Sequence, residues 1–374
     1  MTVLSAKKGF LYIGGILLVV WLSIFCYIWF PDIIPDFLHL RTKGSLAKKL
    51  HGGAGSIEDT AKDKLSSSIN INPSSPDVVH VCITTSKNTV GGAIALINSI
   101  ISNTNSPVMF HIVSDLDSMD QISIWIKDTK LKSINYELKG FPVEMVAGKV
   151  KVRGGRQELA SPMNYARYYL PQLFPKLRSR VIFIDDDCIV QGDISELYNM
   201  KIHPDHLAAF SSDCVGVGKH LSHMENNYAN YIDFKHKAVV NMGIKPTECA
   251  FNTGVFVSDL SQWRKFNITK QLEAWLELNV KEEVYGNEKG GGGSQPPMML
   301  VFHKLYSNIN PMWNVRHLGL TPGSSYTTHF LQGGKLLHWS GRYKPWGRSA
   351  QHSELWEKYY IPDPTGHFQL IRRD

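Results

Sequence analysis

The sequence predicts an α/β fold, a mixed and mainly parallel sheet with helices on both faces, set behind an N-terminal transmembrane helix. Three observations carry this. From residue 78 onward, short apolar runs alternate with segments of helical periodicity. Several of those runs are apolar throughout, as strands buried on both faces must be. Ahead of them, residues 10–30 contain no charged side chain.

That first run, FLYIGGILLVVWLSIFCYIWF, is 21 residues long. At helical rise it spans about 31 Å, matching a hydrocarbon core of about 30 Å. Lys7 and Lys8 precede it, and the next positive charges are Arg41 and Lys43. The positive flank predicts a cytosolic tail over 1–9 and a luminal remainder. A cleaved signal peptide is the competing reading; the run is long for one, and no small-x-small site follows it. Residues 31–77 read as a stem. The stretch 41–76 is rich in Gly, Ser, Lys and Asp, and cannot bury enough surface to offset its ordering entropy.

The luminal domain is read over 78–374. Strands are expected at 78–85, 108–114, 134–138, 181–184, 207–210 and 255–257. Helices are expected at 91–103, 120–129, 165–174 and 261–280, the last being the longest. Alternating β and α units give a mainly parallel sheet, whose ligands collect beyond the carboxyl ends of the strands. Residues 84–88 and 185–187 then share one rim if their strands are neighbours. Gly290–293, followed by Ser294-Gln295-Pro296-Pro297, reads as a flexible loop.

Composition excludes some classes. The net charge is +7, with 43% hydrophobic and 20% charged residues. No dense basic block interleaves with aromatics, so nucleic acid is not an expected partner. Of five cysteines, Cys26 lies in the apolar run; Cys82 and Cys188 sit in strand-like runs as buried thiols. Cys214 and Cys249 sit in polar contexts and are the expected disulfide in an oxidising compartment.

Three segments carry chemistry. In VIFIDDDCIVQGDI (181–194), three carboxylates end an apolar strand. A divalent cation would neutralise them; a solvated acidic turn is the alternative. Alternation lets Asp185 and Asp187 share a face while Asp186 points elsewhere. Asp193 reads as a turn or helix-capping residue. In LLHWSGRYKPWG (336–347), His338 is either a metal ligand or a satisfied core histidine. Gly341 permits close backbone approach, and Lys344 can hold a diphosphate as a point charge. In CAFNTGVFVSDL (249–260), Asn252 reads as a turn former or as a sugar-binding amide.

Together with GGAIALINSI (91–100), ARYYLP (166–171), PMWNVRHLG (311–319) and WEKYYIPDPTG (356–366), these segments resemble the family 8 glycosyltransferases over about 78–370. Within that family they resemble the vertebrate glycosyltransferase 8 domain-containing group. The resemblance implies a GT-A fold with a Rossmann-like nucleotide-binding half, a UDP-sugar donor, Mn²⁺ and a retaining outcome. It places the metal on Asp185, Asp187 and His338. It places the nucleotide sugar on Thr84, Thr85, Asn88, Arg167, Asp185, Asp186, Gly341 and Lys344. Asn252 and Gln295 fall at the donor-sugar and catalytic positions, although Pro296 and Pro297 break the usual pattern after Gln295.

The expected protein is therefore a type II membrane glycosyltransferase acting on an unidentified luminal acceptor, in the Golgi rather than the endoplasmic reticulum. Asn267-Ile268-Thr269 offers a glycosylation site at Asn267. A catalytically inactive nucleotide-sugar-binding protein is the main alternative. A phosphodiesterase would need a second metal and more ligands than the sequence offers.

Overall fold

The computed structural model describes residues 66–152, 157–214, 226–286, 293–319 and 326–371. The tail and anchor read over 1–30 lie outside these, as do residues 31–65 of the stem and most of the glycine tract. Among the described residues, no helix is long and apolar enough to cross a membrane.

Among the described residues, ten strands make two sheets. In chain order they are β1 (Ser66–Ser68), β2 (Val79–Thr85), β3 (Val108–Ser114), β4 (Asn135–Gly140), β5 (Arg180–Asp185), β6 (Cys188–Val190), β7 (Ala208–Ser212), β8 (Phe251–Asp259), β9 (Tyr306–Asn308) and β10 (Leu336–His338). The large sheet runs β1-β4-β3-β2-β5-β8-β7-β9, and β10 pairs with β6 in a separate ribbon. Neighbours from β4 through β3 and β2 to β5 are parallel, while β8 runs antiparallel to both β5 and β7. The mixed, mainly parallel sheet is thus as expected. The chain steps outward from β2 to β3 and β4, then returns to β5 on the other side of β2. That reversal is a topological switch point, where open α/β sheets hold their ligands.

Apolar side chains alternate across the sheet into two cores. Val79, Val81 and Ile83 join the core built with helices α1 (Val90–Asn103) and α2 (Met119–Lys127). Cys82, Val181 and Phe183 face the other core with helices α3 (Ile268–Glu282) and α4 (Gln295–Val301). Helices therefore cover both faces. Cys214 and Cys249 form a disulfide, and Cys82 and Cys188 are buried free thiols.

Five local expectations change. The sheet begins at Ser66, inside the segment read as stem, because 66–68 pair antiparallel with β4. The segment 165–174 is a 3₁₀ run, Pro162–Tyr169, followed by one α turn, Leu170–Leu173. The helix read over 261–280 is two helices, Leu260–Lys265 and α3. Asn267 separates them with φ of 51°, a left-handed conformation that Asn tolerates better than most residues. Asn252-Thr253-Gly254 is not a turn but lies inside β8, opposite an irregularity between Phe210 and Ser211. Residues 295–297 are not loop but the buried first turn of α4. Pro296 and Pro297 fit there because the first helical N–H groups have no intrahelical acceptor. Asp193 caps the short helix Ile194–Tyr198 by accepting from the Ser195 N–H.

A buried polar relay crosses one face. His80 Nδ1 lies 2.9 Å from His111 Nε2, and His111 Nδ1 lies 2.6 Å from Glu137 Oε1. Burial first, then the neighbouring His111, lowers His80 to about 4 from an ordinary 6.5. Because the folded state disfavours protonation, the native state is at its best above pH 6.5. It loses stability as pH falls from there toward 4, by roughly 3 kcal/mol from this group. Urea unfolding midpoints measured at pH 7 and pH 4.5 should therefore drop in the wild type. The drop should be visibly smaller in His80→Gln; equal drops would disprove the assignment.

Candidate active site

The site forms at the carboxyl ends of β2 and β5. Thr84 is the parallel partner of Asp185, so the two rims expected to be neighbours are adjacent. Three successive carboxylates leave β5, and each meets a different partner.

Asp185 is held by Arg167, whose Nη2 donates to Oδ1 at 2.6 Å. The same guanidinium donates to the Thr253 carbonyl at 2.7 Å and the Asn164 carbonyl at 3.1 Å, and stacks over Phe183. Arg167, expected to contact the donor, fixes Asp185 and the strand beside it through these bonds. Burial raises the Asp185 carboxyl, opposed chiefly by Arg167. Asp186 points the other way, toward the hydroxyls of Thr85 and Thr89. Burial, then Asp187, pushes it up to about 7.

Asp187 is the deepest of the three, 5% exposed. Its Oδ1 lies 3.1 Å from His338 Nε2, and its Oδ2 accepts from the Lys344 ammonium. Burial opposes ionisation, but Lys344 and His338 outweigh it and hold the carboxyl well below the ordinary range. Burial likewise opposes the Lys344 ammonium, and Asp187 reverses this. His338 arrives because β10 pairs antiparallel with β6, register placing it opposite Cys188. Lys344 follows after Gly341, whose φ of 123° is a conformation that L side chains rarely adopt.

Glycine is required for space at one further point. A Cβ on Gly254 would stand 2.5 Å from Asp185 Oδ2 and 2.6 Å from His338 Cε1. The Asp185 oxygen and the imidazole therefore approach across Gly254, separated by no more than the sum of those distances. Asp185 and the imidazole face each other across Gly254, and Asp187 meets the same imidazole at Nε2, so hard oxygen and borderline nitrogen donors lie on two sides of His338. This set suits a divalent metal ion. Among the described residues, Asp187, Cys188 and His338 have ligand atoms within 4.8 Å of one another. Burial, reinforced by the three aspartates, raises the Cys188 thiol well above its ordinary range, so it stands as a neutral neighbour.

Asn252 and Gln295 also meet at the site. Asn252 Nδ2 lies 3.4 Å from Gln295 Oε1, and Asn252 Oδ1 accepts from the Gly254 N–H at 2.9 Å. Thr84 and Thr85 are buried at the end of β2, and Asn88 is exposed in the loop beyond. Sequence reasoning missed Asn314, whose side chain bridges His338 and Asn252. It also missed Asp213 and Arg316, a buried ion pair close enough for Asp213 to feel His338. Asn314 and Arg316 lie in the motif 311–319; that they face inward beside the His338 strand depends on the bridge between Val315 and Leu337.

Comparison with known proteins bears on family and fold. The glycosyl transferase family 8 profile matches residues 80–350. Glycosyltransferase 8 domain-containing protein 1 of Xenopus laevis is 48% identical over 288 residues, 76% of this chain and 79% of that protein. Glycosyltransferase 8 domain-containing protein 2 of Mus musculus is 41% identical over 343 residues, 91% of this chain and 97% of that protein. The galactosyltransferase LgtC, solved with donor and acceptor sugar analogues, superposes with a TM-score of 0.56 at 15% identity, over 78% of this chain and all of LgtC. The bifunctional glycosyltransferase WbbM superposes equally well, at 22% identity, over 79% of this chain and 52% of WbbM. At those identities the two structures speak to the fold alone. The chain belongs to glycosyl transferase family 8.

Proposed function

We propose that the protein is a retaining glycosyltransferase that moves a sugar from a UDP-sugar, held through Mn²⁺, to an acceptor in the lumen of the secretory pathway. The observation that carries this is the meeting of Asp185, Asp187, His338 and Lys344 at the sheet's switch point. Asp185, Asp187 and His338 would hold the cation. Once bound, Mn²⁺ would neutralise the diphosphate and stabilise the charge that develops as the sugar leaves. Lys344 places an ammonium beside the same pole and would bind a phosphate oxygen. Thr84, Thr85 and Asn88 line the approach for the nucleoside, and Asn252 with Gln295 would face the sugar. An oxygen of the departing diphosphate would take the acceptor's proton, so the retaining reaction needs no separate protein base.

The anchor at 10–30 and the luminal orientation are part of the same proposal, with the Golgi as compartment. The Cys214–Cys249 disulfide supports an oxidising environment. Asn267 is exposed, and its side chain makes no helix-capping bond, leaving it available for glycosylation.

Three outcomes are expected. Asp187→Ala should abolish Mn²⁺-dependent UDP binding, read by calorimetry with and without EDTA. UDP binding that survives both the substitution and EDTA would remove the metal-dependent mechanism; binding without transfer from any UDP-sugar would favour the inactive alternative. Gly254→Ala should weaken Mn²⁺ binding, read by the loss of free-ion electron paramagnetic signal, while circular dichroism stays native. Unchanged affinity would show that the Gly254 cradle does not hold the ion. In secretory cells, glycosidase treatment should shift the wild type on a gel but not Asn267→Gln; an identical shift in both would move the glycan elsewhere.

A further inference from the structure

The proposed ligand His338 touches two polar groups, and one of them fixes a proton on Nδ1. The constraint starts at a backbone amide. Gly254 N–H can only donate, and it points at one terminal atom of the Asn252 side chain from 2.9 Å. That atom must be oxygen. The Asn314 side-chain atom 3.0 Å from this oxygen must then be its NH₂ group. The other terminal atom of Asn314 is therefore oxygen, and it faces His338 Nδ1 at 2.9 Å. An amide oxygen accepts only, so Nδ1 carries a proton. Nε2, on the far side of the ring, is the nitrogen turned toward Asp187.

The backbone makes this arrangement stiff. Val315 N–H donates to the Leu336 carbonyl, and His338 N–H donates to the Val315 carbonyl, each at 2.9 Å. Asn314 is thus stitched to β10 immediately beside the histidine it contacts. Both Asn314 and His338 are 2% exposed, so bulk water cannot readily replace the amide.

We propose that Asn314 is a positioning residue for the cation. It holds the proton of His338 on Nδ1 and aims the Nε2 lone pair at the ion shared with Asp185 and Asp187. The inference rests on the proposed role of His338 as a ligand. Without Asn314, the bond that keeps the proton on Nδ1 is lost, and the neutral ring can take the other tautomer, with its proton on Nε2 directed at Asp187. The ion would then compete with that proton, and outer hydrogen-bond partners of this kind affect metal affinity by about 10- to 100-fold.

The test titrates the full-length wild-type chain, Asn314→Leu and Asn314→Asp with Mn²⁺, following the free-ion electron paramagnetic signal. Leu matches the shape but accepts no hydrogen bond. Asp still accepts from Nδ1–H, although it cannot donate to Asn252. The expected result is an affinity at least tenfold weaker for Asn314→Leu, and within about threefold of wild type for Asn314→Asp. Equal affinity for wild type and Asn314→Leu, or equal weakening in both variants, would overturn the inference. Failure of the wild type to bind Mn²⁺ would instead overturn the reading of the site itself. Should Asn314→Leu not fold, nitrogen-15 shifts of His338 in the metal-free wild type, assigned by difference against His338→Gln, decide the matter. A protonated Nδ1 supports the inference, and an unprotonated one ends it.

Discussion

Asp187 is the constraint around which the rest of the site is arranged. A carboxylate this far from water is unfavourable as an anion unless cations or donors meet it. The sequence supplies them from far downstream, Lys344 lying 157 residues away. They reach Asp187 because β10 pairs with β6, the strand that follows Asp187 directly. The two-stranded ribbon is small, yet without it Asp187 would lack both of these partners. Its backbone hydrogen bonds and its electrostatics serve one another: pairing brings His338 and the Lys344 ammonium in, and the carboxylate gives each of them a polar partner there.

The same logic explains how three adjacent aspartates coexist. Like charges so close would drive each other toward protonation if they shared one environment. The strand sends them apart instead. Asp185 meets Arg167, Asp186 meets two threonine hydroxyls, and Asp187 meets His338 and Lys344. Their acidities diverge accordingly, with Asp186 pushed up to about 7 and Asp187 held low. Gly254 then leaves the opening between Asp185 and His338 that any larger residue would close.

Much of this was legible in the sequence, for physical reasons that differ by element. Strands buried on both faces, such as 79–85 and 108–114, have apolar content that little else explains, and they fall where expected. The Asp cluster stood out because charge at the end of an apolar strand is costly. The failures have causes too. Asn252-Thr253-Gly254 resembles a turn, but the bulged pairing with β7 and the close packing at Gly254 hold it in β8. The helix break at Asn267 depends on a left-handed residue that periodicity cannot detect. Ser66–Ser68 has the composition of a stem and becomes a strand only because the edge of β4 is free to pair with it. Asn314 was invisible because its importance lies in two contacts, to residues 62 and 24 positions away.

The members of the site differ in how firmly they are held. His338, Asn314 and Asn252 are fixed by strand pairing and by a chain of amides with a single consistent direction. Lys344 is different: its side chain is 30% exposed, on a loop beyond Gly341, and its stem is unbranched. Lysine binds as a point charge at the end of a flexible stem, so exchanging one oxygen partner for another requires rotation about side-chain bonds and no backbone movement. An ammonium resting on Asp187 is therefore already placed to meet a phosphate oxygen brought to the same pole. Stiffness in the histidine and freedom in the lysine are complementary requirements. Under the proposed function, ligands of the ion would have to keep their geometry throughout turnover, whereas a lysine that binds the diphosphate would also have to let it go.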